Sequence, residues 1–368
     1  MIPVFSPQIS IKDYLSVLSA LKRTHISGTS PVIEEFENKL AEKFNRKYAI
    51  ALSNGSCALD VALHSLELRE DDEVALPSFT IISCLSAVIR SGAKPVFYDV
   101  NEKSWNAKLS DIEKVVTKKT KAIIMVHTFG LTSEGVRIQD YCKSNNIQLV
   151  EDSAEAHGQF IDNQPCGSFG DLSIFSFYAN KHITTGEGGA VLTNSKEKYL
   201  KIKKMINLDF GIKRFQHENL FWNYRMSGLQ ASLGISQIDK LEKVIESKIK
   251  QGRNYNKLLF NLKDVLSTPL SKNDGVENHY WVYGIVLKKN GLREKLQEKM
   301  YSEGIETRPF FWPLHLQNAL PKKFESNNEL PVSENIGKNG LYLPLGKHVN
   351  NSVQIKVVKS ISSFFDRG

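Results

Sequence analysis

The most informative stretch of the chain is Leu172-Ser-Ile-Phe-Ser-Phe-Tyr-Ala-Asn-Lys181-His-Ile-Thr-Thr-Gly-Glu-Gly-Gly-Ala-Val-Leu-Thr-Asn194. It predicts a buried strand from Ser173 to Phe177, an irregular turn that holds Lys181, and a second strand from Gly189 to Thr193. Glycines punctuate the turn because they tolerate backbone conformations that other residues avoid; they are Gly186, Gly188 and Gly189. The pattern places one lysine between two apolar strands.

A lysine in such a place is expected to be partly desolvated. Burial lowers the pKa of a lysine and makes the neutral amine available, and carbonyl chemistry requires that amine. The alternative interpretation is a surface lysine at the tip of a loop. Which of the two holds for Lys181 depends on the residues that the rest of the chain brings around it.

The composition is that of a globular enzyme. The chain has 368 residues, 41% of them hydrophobic and 24% charged, and a net charge of +8 that no long basic run explains. Dispersed basic residues fit a small anionic substrate better than nucleic acid, although solvated faces explain them as well. The four cysteines form no metal-ligand spacing. We see neither a signal peptide nor a membrane-spanning run, and we expect a soluble, cytoplasmic protein with reduced thiols.

Short apolar runs alternate with amphipathic helices from residue 47 onward. This alternation favours an α/β fold with a mostly parallel sheet between helices. The predicted strands are Tyr48–Ala51, Glu73–Leu76, Pro95–Tyr98, Ala122–Val126 and Gln148–Val150, with helices near 56–68, 81–91, 110–117 and 134–145. Ligands of such sheets bind at the carboxyl ends of the strands.

Polar residues follow several of these strands. A small-residue turn, Ser53-Asn-Gly-Ser-Cys-Ala58, leads into a helix whose N-terminus could bind an anion. Glu151 and Asp152 end another strand, where a buried acid needs a cationic partner. With Ser176 and Lys181 these elements fit one ligand, pyridoxal phosphate. Its phosphate would lie on Gly55, Ser56, Cys57 and Ser176, its ring nitrogen against Asp152, and its aldehyde on Lys181.

The remainder predicts two further helices and a smaller α/β unit. Two helical segments at 10–23 and from Ser30-Pro31 precede the sheet, and the first places Ile11, Leu15, Leu18 and Leu21 on one face. A polar loop at 207–219 leads to a helix that includes Leu229 to Leu241, then to a helix at 246–263. A strand at 279–287 and a helix at 292–302 follow. We therefore expect a large cofactor-binding domain at 1–245, on which the N-terminal helices at 10–45 pack, and a small C-terminal domain at 246–368.

The motifs together resemble the DegT/DnrJ/EryC1/StrS sugar aminotransferases, which are fold-type I pyridoxal-phosphate enzymes. The segments that carry the resemblance span nearly the whole chain; they are Pro31-Val-Ile-Glu-Glu-Phe-Glu37, Ser53-Asn-Gly-Ser56, Asp72-Glu-Val-Ala-Leu-Pro-Ser-Phe-Thr80, Gly92-Ala-Lys-Pro-Val96, Glu151-Asp152, Phe169-Gly-Asp171, Asn180-Lys181, Gly186-Glu-Gly-Gly189, Asn223-Tyr-Arg-Met226 and Glu306-Thr-Arg-Pro309. The chain is most similar to the perosamine-forming branch, which aminates C4 of a GDP-linked 4-keto-6-deoxyhexose for surface-polysaccharide (O-antigen) synthesis.

The resemblance implies a role for each matching residue. Lys181 matches the lysine that binds the cofactor aldehyde and moves the proton, and Asp152 matches the acid at the ring nitrogen. Glu155 lies where many relatives have a glutamine on the cofactor hydroxyl, and the perosamine-forming branch has an acid there. Asn223 resembles a residue that reaches the phosphate in the neighbouring subunit, which implies an obligatory homodimer with shared sites. L-glutamate is the implied amino donor.

One position departs from the pattern. Relatives often have an aromatic residue that stacks on the cofactor ring where this chain has Ile81, so we expect aliphatic packing on the ring instead. Residues of the later motifs are candidates for substrate binding, although each could be structural; they are Arg225, Arg308, Phe310, Trp312 and His315.

Several alternatives remain open at this point. The substrate could be a dTDP- or UDP-linked 3- or 4-keto sugar. A dehydratase branch of the family has a histidine in place of the lysine, so Lys181 favours transamination. A non-catalytic regulator that senses the cofactor usually carries a DNA-binding domain, and residues 1–45 are too short and weakly basic for one. A cofactor-free α/β protein would leave the lysine turn unexplained.

Overall fold

The fold was determined as a computed structural model, which describes residues 1–211, 213, 215–325 and 329–366. In chain order its strands are β1 Tyr48–Leu52, β2 Glu73–Pro77, β3 Lys94–Tyr98, β4 Thr120–Val126, β5 Gln148–Asp152, β6 Phe160–Ile161, β7 Gln164–Pro165, β8 Leu172–Ser176, β9 Gly189–Thr193, β10 Leu266–Ser267, β11 Lys272–Asn273, β12 Val276–Glu277, β13 Tyr283–Leu287, β14 Arg308–Pro309 and β15 Gly340–Leu343. Its α-helices are α1 Ile11–Lys22, α2 Pro31–Lys43, α3 Gly55–His64, α4 Ile82–Arg90, α5 Leu109–Glu113, α6 Gly135–Ser144, α7 Lys196–Met205, α8 Gly228–Ile238, α9 Leu241–Leu258, α10 Arg293–Ser302, α11 Pro331–Asn339 and α12 Asn351–Phe365.

The central sheet has the strand order β1-β9-β8-β5-β4-β2-β3. Strands β3, β2, β4, β5 and β8 run parallel, and β9 lies antiparallel between β8 and β1. Strands buried on both faces are typical of parallel sheets covered by helices. Ile50 and Leu52 of β1 pack with α3, whereas Ala49 and Ala51 pack with α2 on the opposite face. This arrangement confirms the predicted α/β class and the predicted strands.

The sheet geometry brings the predicted site residues to one edge. Asp152 of β5 pairs with Ile174 of β8 in a parallel register. Ser176 ends β8 and is paired with Gly189, the first residue of β9. Because β9 runs opposite to β8, the turn between them, with Lys181, lies at the same edge as the end of β5.

Several helix boundaries differ from the prediction: α3 already ends at His64, and α9 spans Leu241–Leu258 and not 246–263. Residues Asp239 and Lys240 separate α8 from α9, so Leu241 belongs to the second helix and not to the first. The helix ends there because Lys240 leaves the helical conformation and pairs with buried Asp13. Helix α5 stops at Glu113, before the predicted end at 117, since the β-branched residues Val115 to Thr117 are poor helix formers.

The apolar stripe of α1 points outward. The side chains of Ile11, Leu15 and Leu18 are 70%, 58% and 58% exposed. The contacts of α1 with α8 are instead polar, because Asp13 accepts a hydrogen bond from Ser236 and Ser16 donates one to the Ser232 carbonyl. The helix therefore packs on α8 with the face that the sequence pattern did not indicate.

A second sheet lies in the C-terminal part of the chain. Its strand order is β10-β13-β15-β14, and all pairs are antiparallel. Its core is shared with α9, α10 and α12, and includes Tyr255, Leu296 and Val357. Helix α9 spans both parts, since its start packs in the core of the central sheet and its end packs in this second core. The division between two domains thus stays a prediction, and its boundary at 245/246 falls inside α9.

Two sequence expectations concern the chain as a whole. All four cysteines are present as free thiols. Among the residues that the structure describes, none of the helices has the length and apolar character needed to cross a membrane.

Candidate active site

A cavity of about 520 Å³ opens at the carboxyl edge of the central sheet. Its walls come from the start of α3, the start of α4, the ends of β5 and β8, the lysine turn, and the segment before β13. The predicted site residues on these walls are Gly55, Ser56, Ile81, Asp152, Glu155, Ser176 and Lys181. The structure therefore brings seven of the predicted residues to one cavity.

Lys181 lies inside this cavity, and its side chain is only 8% exposed. Its Nζ is 3.5 Å from Glu155 Oε1 and 3.6 Å from the centroid of the Trp281 ring. The turn that carries it is fixed by its backbone, since Lys181 N–H donates to the Tyr178 carbonyl. Gly186 in the same turn has a φ of 82°, in the left-handed region that favours glycine. The desolvated lysine that the sequence predicted is present, and the loop-tip alternative is wrong.

Burial shifts both members of this pair toward their neutral forms. Burial is the largest influence on Glu155 and raises its pKa to about 7, although the charge of Lys181 opposes the shift. Burial likewise lowers the pKa of Lys181 below its ordinary value, against the charges of Glu155 and Asp152. A lysine with a lowered pKa supplies the free amine that attacks a carbonyl at neutral pH.

Asp152 is the second buried acid of the cavity. Its Oδ1 accepts a hydrogen bond of 3.0 Å from the Ala154 N–H, and its Oδ2 lies 3.5 Å from the Cys84 thiol. Burial raises the pKa of Asp152, while the Ala154 N–H and the Lys181 charge act in the opposite direction. A carboxylate with this burial is suited to a protonated nitrogen as its cationic partner.

The neighbouring acid Glu151 has a different role. Its Oε1 accepts hydrogen bonds from His127, Ser153 and Gly167, and its Oε2 accepts from Phe169, Gly170 and Ser173. Burial alone would raise its pKa, but these donors lower it to about 2. Glu151 is therefore a structural acid that ties the 167–170 segment to β5, and no oxygen is left for a ligand.

The start of α3 forms the opposite end of the cavity. Asn54 caps the helix by accepting a hydrogen bond of 2.8 Å from the Cys57 N–H. Ser56 Oγ lies 2.7 Å from Ser83 Oγ on α4. A Cβ on Gly55 would lie 2.9 Å from the Cβ of Ser176, so only glycine lets α3 approach β8 this closely. Hydroxyls beside a helix N-terminus form a site for a phosphate group.

The prediction for Cys57 differs from what the structure shows. Its backbone N–H, assigned to the phosphate from the sequence, donates to the Asn54 cap instead. Its side chain is not part of the cavity wall, which is formed here by Gly55 and Ser56. Ser83 takes a place on that wall which the sequence did not indicate.

The other predicted residues lie outside the cavity wall. Asn223 is exposed, and Arg225 donates a hydrogen bond to the Asn207 side chain. Arg308 Nη2 lies 3.3 Å from Glu306 Oε1. Both arginine side chains thus interact with residues of their own chain.

The aromatic motif near residue 312 is likewise engaged with the protein. Phe310 is a buried core residue that packs between Gly284 and Gly340. Trp312 is 42% exposed, and its indole donates to the Leu316 carbonyl. His315 Nδ1 lies 2.6 Å from Ser78 Oγ. The burial of Phe310 favours a role in the core, the alternative that the sequence left open, over contact with a substrate.

Sequence reasoning missed Trp281. The run 279–287 reads as one long strand, but the strand begins only at Tyr283. Residues before it turn toward the cavity, and Tyr280 has a φ of 48°. The only signal was the aromatic density of this run, which equally indicates a core strand.

Comparison with known proteins agrees with this geometry. A sequence profile of the DegT/DnrJ/EryC1/StrS aminotransferase family matches residues 8–362. GDP-perosamine synthase of Escherichia coli O157:H7 is 35% identical over 365 residues, covering 99% of this chain and 98% of that protein. GDP-perosamine synthase of Vibrio cholerae is 30% identical over 376 residues, covering 100% of both chains.

Solved structures show the same fold. The aminotransferase from Psychrobacter cryohalolentis superimposes with a TM-score of 0.90 at 26% identity, covering 98% of each chain. This match confirms the predicted fold of a pyridoxal-phosphate aminotransferase. With a lysine and two acids in one cavity and a family profile that matches nearly the whole length, the chain belongs to the DegT/DnrJ/EryC1/StrS aminotransferase family.

Proposed function

We propose that this enzyme moves an amino group from L-glutamate to a nucleotide-linked 4-keto-6-deoxyhexose, with pyridoxal phosphate as its cofactor. The favoured substrate is GDP-4-keto-6-deoxymannose, and the product is then GDP-perosamine. The observation that carries the proposal is Lys181, a buried amine between Glu155 and Trp281 in a cavity that also holds Asp152. The preference for the GDP sugar rests on the similarity to GDP-perosamine synthases.

The residues present fit this cofactor at three points. The hydroxyls of Ser56 at the start of α3, Ser83 on α4 and Ser176 at the end of β8 suit its phosphate. Asp152, a buried acid on the same cavity wall as Lys181, suits its ring nitrogen. Lys181 suits its aldehyde. When bound, the cofactor would carry the amino group between donor and acceptor and delocalise the charge of the reacting carbon.

Each residue then has a defined task. Lys181 would bind the aldehyde as an amine and, once released, would carry the proton between carbon atoms as general base and acid. Asp152 would hold a proton at the ring nitrogen by its charge. Glu155 would orient Lys181 from 3.5 Å, and Ile81 would cover one face of the ring. Lys181, Asp152 and Glu155 are all largely buried, so the groups that hold and move the proton are shielded from bulk water.

Another substrate and a regulatory role remain as alternative outcomes of the test. A dTDP-dependent 4-aminotransferase of Saccharopolyspora spinosa is 28% identical over 360 residues, so a dTDP sugar is the second substrate to try. A relative from Geobacillus stearothermophilus named pleiotropic regulatory protein is 28% identical over 356 residues. Lys181 itself favours transamination over dehydration.

We also infer that two copies share their active sites. Asn223 is exposed and lies outside the wall of its own cavity, where it could reach a partner. The outward apolar stripe of α1, with Ile11 at 70% exposure, supports burial against another chain. A mixing experiment tests this arrangement. Lys181→Ala and Asn223→Ala variants, each inactive alone, should regain activity after joint refolding, because one mixed site has both native residues. Absence of recovery would show that the sites are not shared.

The first test of the function uses the visible absorption of the cofactor-loaded protein. We expect L-glutamate to replace the absorption of the pyridoxal form by that of the pyridoxamine form. We expect the Lys181→Ala variant to keep its fold and to lose turnover. A panel of GDP-, dTDP- and UDP-linked keto sugars then identifies the acceptor. A spectrum that ignores glutamate would point to a sensing protein or another donor, and normal turnover in Lys181→Ala would contradict the assignment.

A further inference from the structure

Trp281 contacts the reactive lysine from the side opposite to the central sheet. Its indole ring is 4% exposed, and its centroid lies 3.6 Å from Lys181 Nζ. Glu155 Oε1 lies 3.5 Å from the same nitrogen. The amine is therefore held between a carboxylate and an aromatic face, and an aromatic face attracts an ammonium group.

The indole is itself fixed to the lysine turn. Its Nε1–H donates a hydrogen bond of 3.1 Å to the carbonyl of Asn180, the residue directly before Lys181. The ring therefore moves with the turn and keeps its face toward the amine. Phe129 supports the ring from the side, at 5.9 Å between centroids.

Two contacts hold the backbone of Trp281 from behind. Lys248 on α9 donates a hydrogen bond of 2.7 Å to the Trp281 carbonyl. Gly130 has a φ of 98°, and a Cβ on it would lie 2.7 Å from the Trp281 nitrogen. His279 N–H donates to the Gly130 carbonyl in the same region. The segment before β13 thus packs directly on Gly130, a position where a side chain would not fit.

Lys248 is buried and 7% exposed, and within the described residues it makes no ion pair. Charged and titratable groups around the lysine pair come from several elements; they are Asp152, Glu155, His157, His182 and Lys181 itself. The ring nitrogens of His182 have no hydrogen-bond partner in the part of the chain that the structure describes. The charged form of Lys248 is costly in this place, and its hydrogen bond to the Trp281 carbonyl is the contact that fixes its amine.

We propose that Trp281 is a positioning residue for Lys181, and that Lys248 holds Trp281 in place from the far side. The inference rests on the proposed function, because it concerns the amine that takes up pyridoxal phosphate. While Lys181 is free, the indole face keeps its amine beside Glu155 and pointed into the cavity. Without the indole, the four-carbon side chain samples other rotamers and reaches the aldehyde less often.

The test measures how cofactor-free protein takes up two forms of the cofactor. Pyridoxal phosphate must react with Lys181, whereas pyridoxamine phosphate binds the same cavity without that bond. For Trp281→Leu we expect uptake of pyridoxal phosphate, followed by absorbance after rapid mixing, to slow about tenfold. The dissociation constant of pyridoxamine phosphate should stay within about twofold of wild type. Lys248→Met should slow uptake in the same direction, and Trp281→Phe, which keeps an aromatic face, should recover most of the rate.

Phe260→Leu is the matched control, because it removes another aromatic ring that faces a lysine. Lys263 Nζ lies 5.4 Å from the centroid of the Phe260 ring, and Phe260 is 65% exposed. The variant should behave as wild type. Equal loss of both cofactor forms in Trp281→Leu would make Trp281 a wall of the cavity and overturn the proposal. Unchanged uptake by Trp281→Leu at wild-type melting temperature would overturn it as well. If wild type takes up neither form, the proposed function fails first and the positioning role falls with it.

Discussion

Replacing Lys248 by methionine should remove a pH-dependent cost from the folded protein. Burial, and secondly the charge of Lys181, lower the pKa of Lys248 from 10.5 to about 7. Below about pH 7 the lysine is protonated in both states, so the folded protein bears the full cost of a buried charge. Between the two pKa values the folded protein binds fewer protons than the unfolded chain, so its free energy of unfolding rises with pH.

The size of the effect follows from proton linkage. One proton of difference is worth about 1.4 kcal/mol per pH unit, so from about pH 7 to about pH 9 the wild type should gain about 2 kcal/mol from Lys248. The methionine variant lacks this gain. It also leaves the Trp281 carbonyl without its donor, at a cost of about 1–3 kcal/mol. That cost does not depend on pH and cancels when the two pH values are compared.

Equilibrium urea unfolding of the cofactor-free proteins measures this difference. The stability of wild type relative to Lys248→Met should increase by about 2 kcal/mol between the two pH values. Lys250→Met is the control, because Lys250 lies exposed on the same helix. Its free energy of unfolding should change with pH by the same amount as that of wild type. The difference in free energy of unfolding between wild type and Lys248→Met could instead change by less than about 0.5 kcal/mol between the two pH values. The pKa of Lys248 is then not lowered by burial, and the reasoning fails.

Three further predictions concern the site and the core. Asp152→Asn should lower turnover about a hundredfold in steady-state assays, because a preorganised charge is lost; wild-type turnover would exclude its role at the ring nitrogen. Glu155→Gln removes a charge that raises the pKa of Lys181, so acetic anhydride should label that amine faster at neutral pH in cofactor-free protein. Slower or equal labelling, read by peptide mass spectrometry, would contradict this electrostatic coupling. Phe36→Ala should cost about 3–5 kcal/mol in urea unfolding, since Phe36 is fully buried with its ring centroid 5.4 Å from that of Phe177. A loss below about 1 kcal/mol would show that the site collapses around the cavity.

Local patterns were enough to predict the central sheet and the buried lysine at its edge. Short apolar strands ended by acids and glycines specify where a parallel sheet presents its carboxyl edge, and Lys181, Asp152 and Gly55 lie there as predicted. These features depend on residues close in sequence, so a pattern can show them.

The features that were missed depend on contacts between distant parts of the chain. Trp281 lies 100 positions from Lys181 in the sequence, and no local pattern distinguishes it from a core aromatic. The break at Lys240 is set by its pairing with Asp13, and the outward turn of α1 by the polar contacts of that same aspartate. The cap that Asn54 places on the Cys57 N–H is a local contact by contrast, and it was missed because several small residues in this turn could begin the helix.

The buried Lys181 is held between residues from two parts of the chain. Glu155 follows a strand of the central sheet, whereas Trp281 precedes a strand of the C-terminal sheet. Trp281 packs in an aromatic cluster that joins Phe79 and Phe129 of the first part to Val286 and Phe310 of the second. Loosening of this shared cluster therefore releases one half of the clamp while the central sheet is still intact. On heating, the protein should therefore lose its grip on the cofactor before it unfolds as a whole. Inactivation temperature then reports on this shared cluster, and substitutions that tighten its packing should extend the working range of the enzyme.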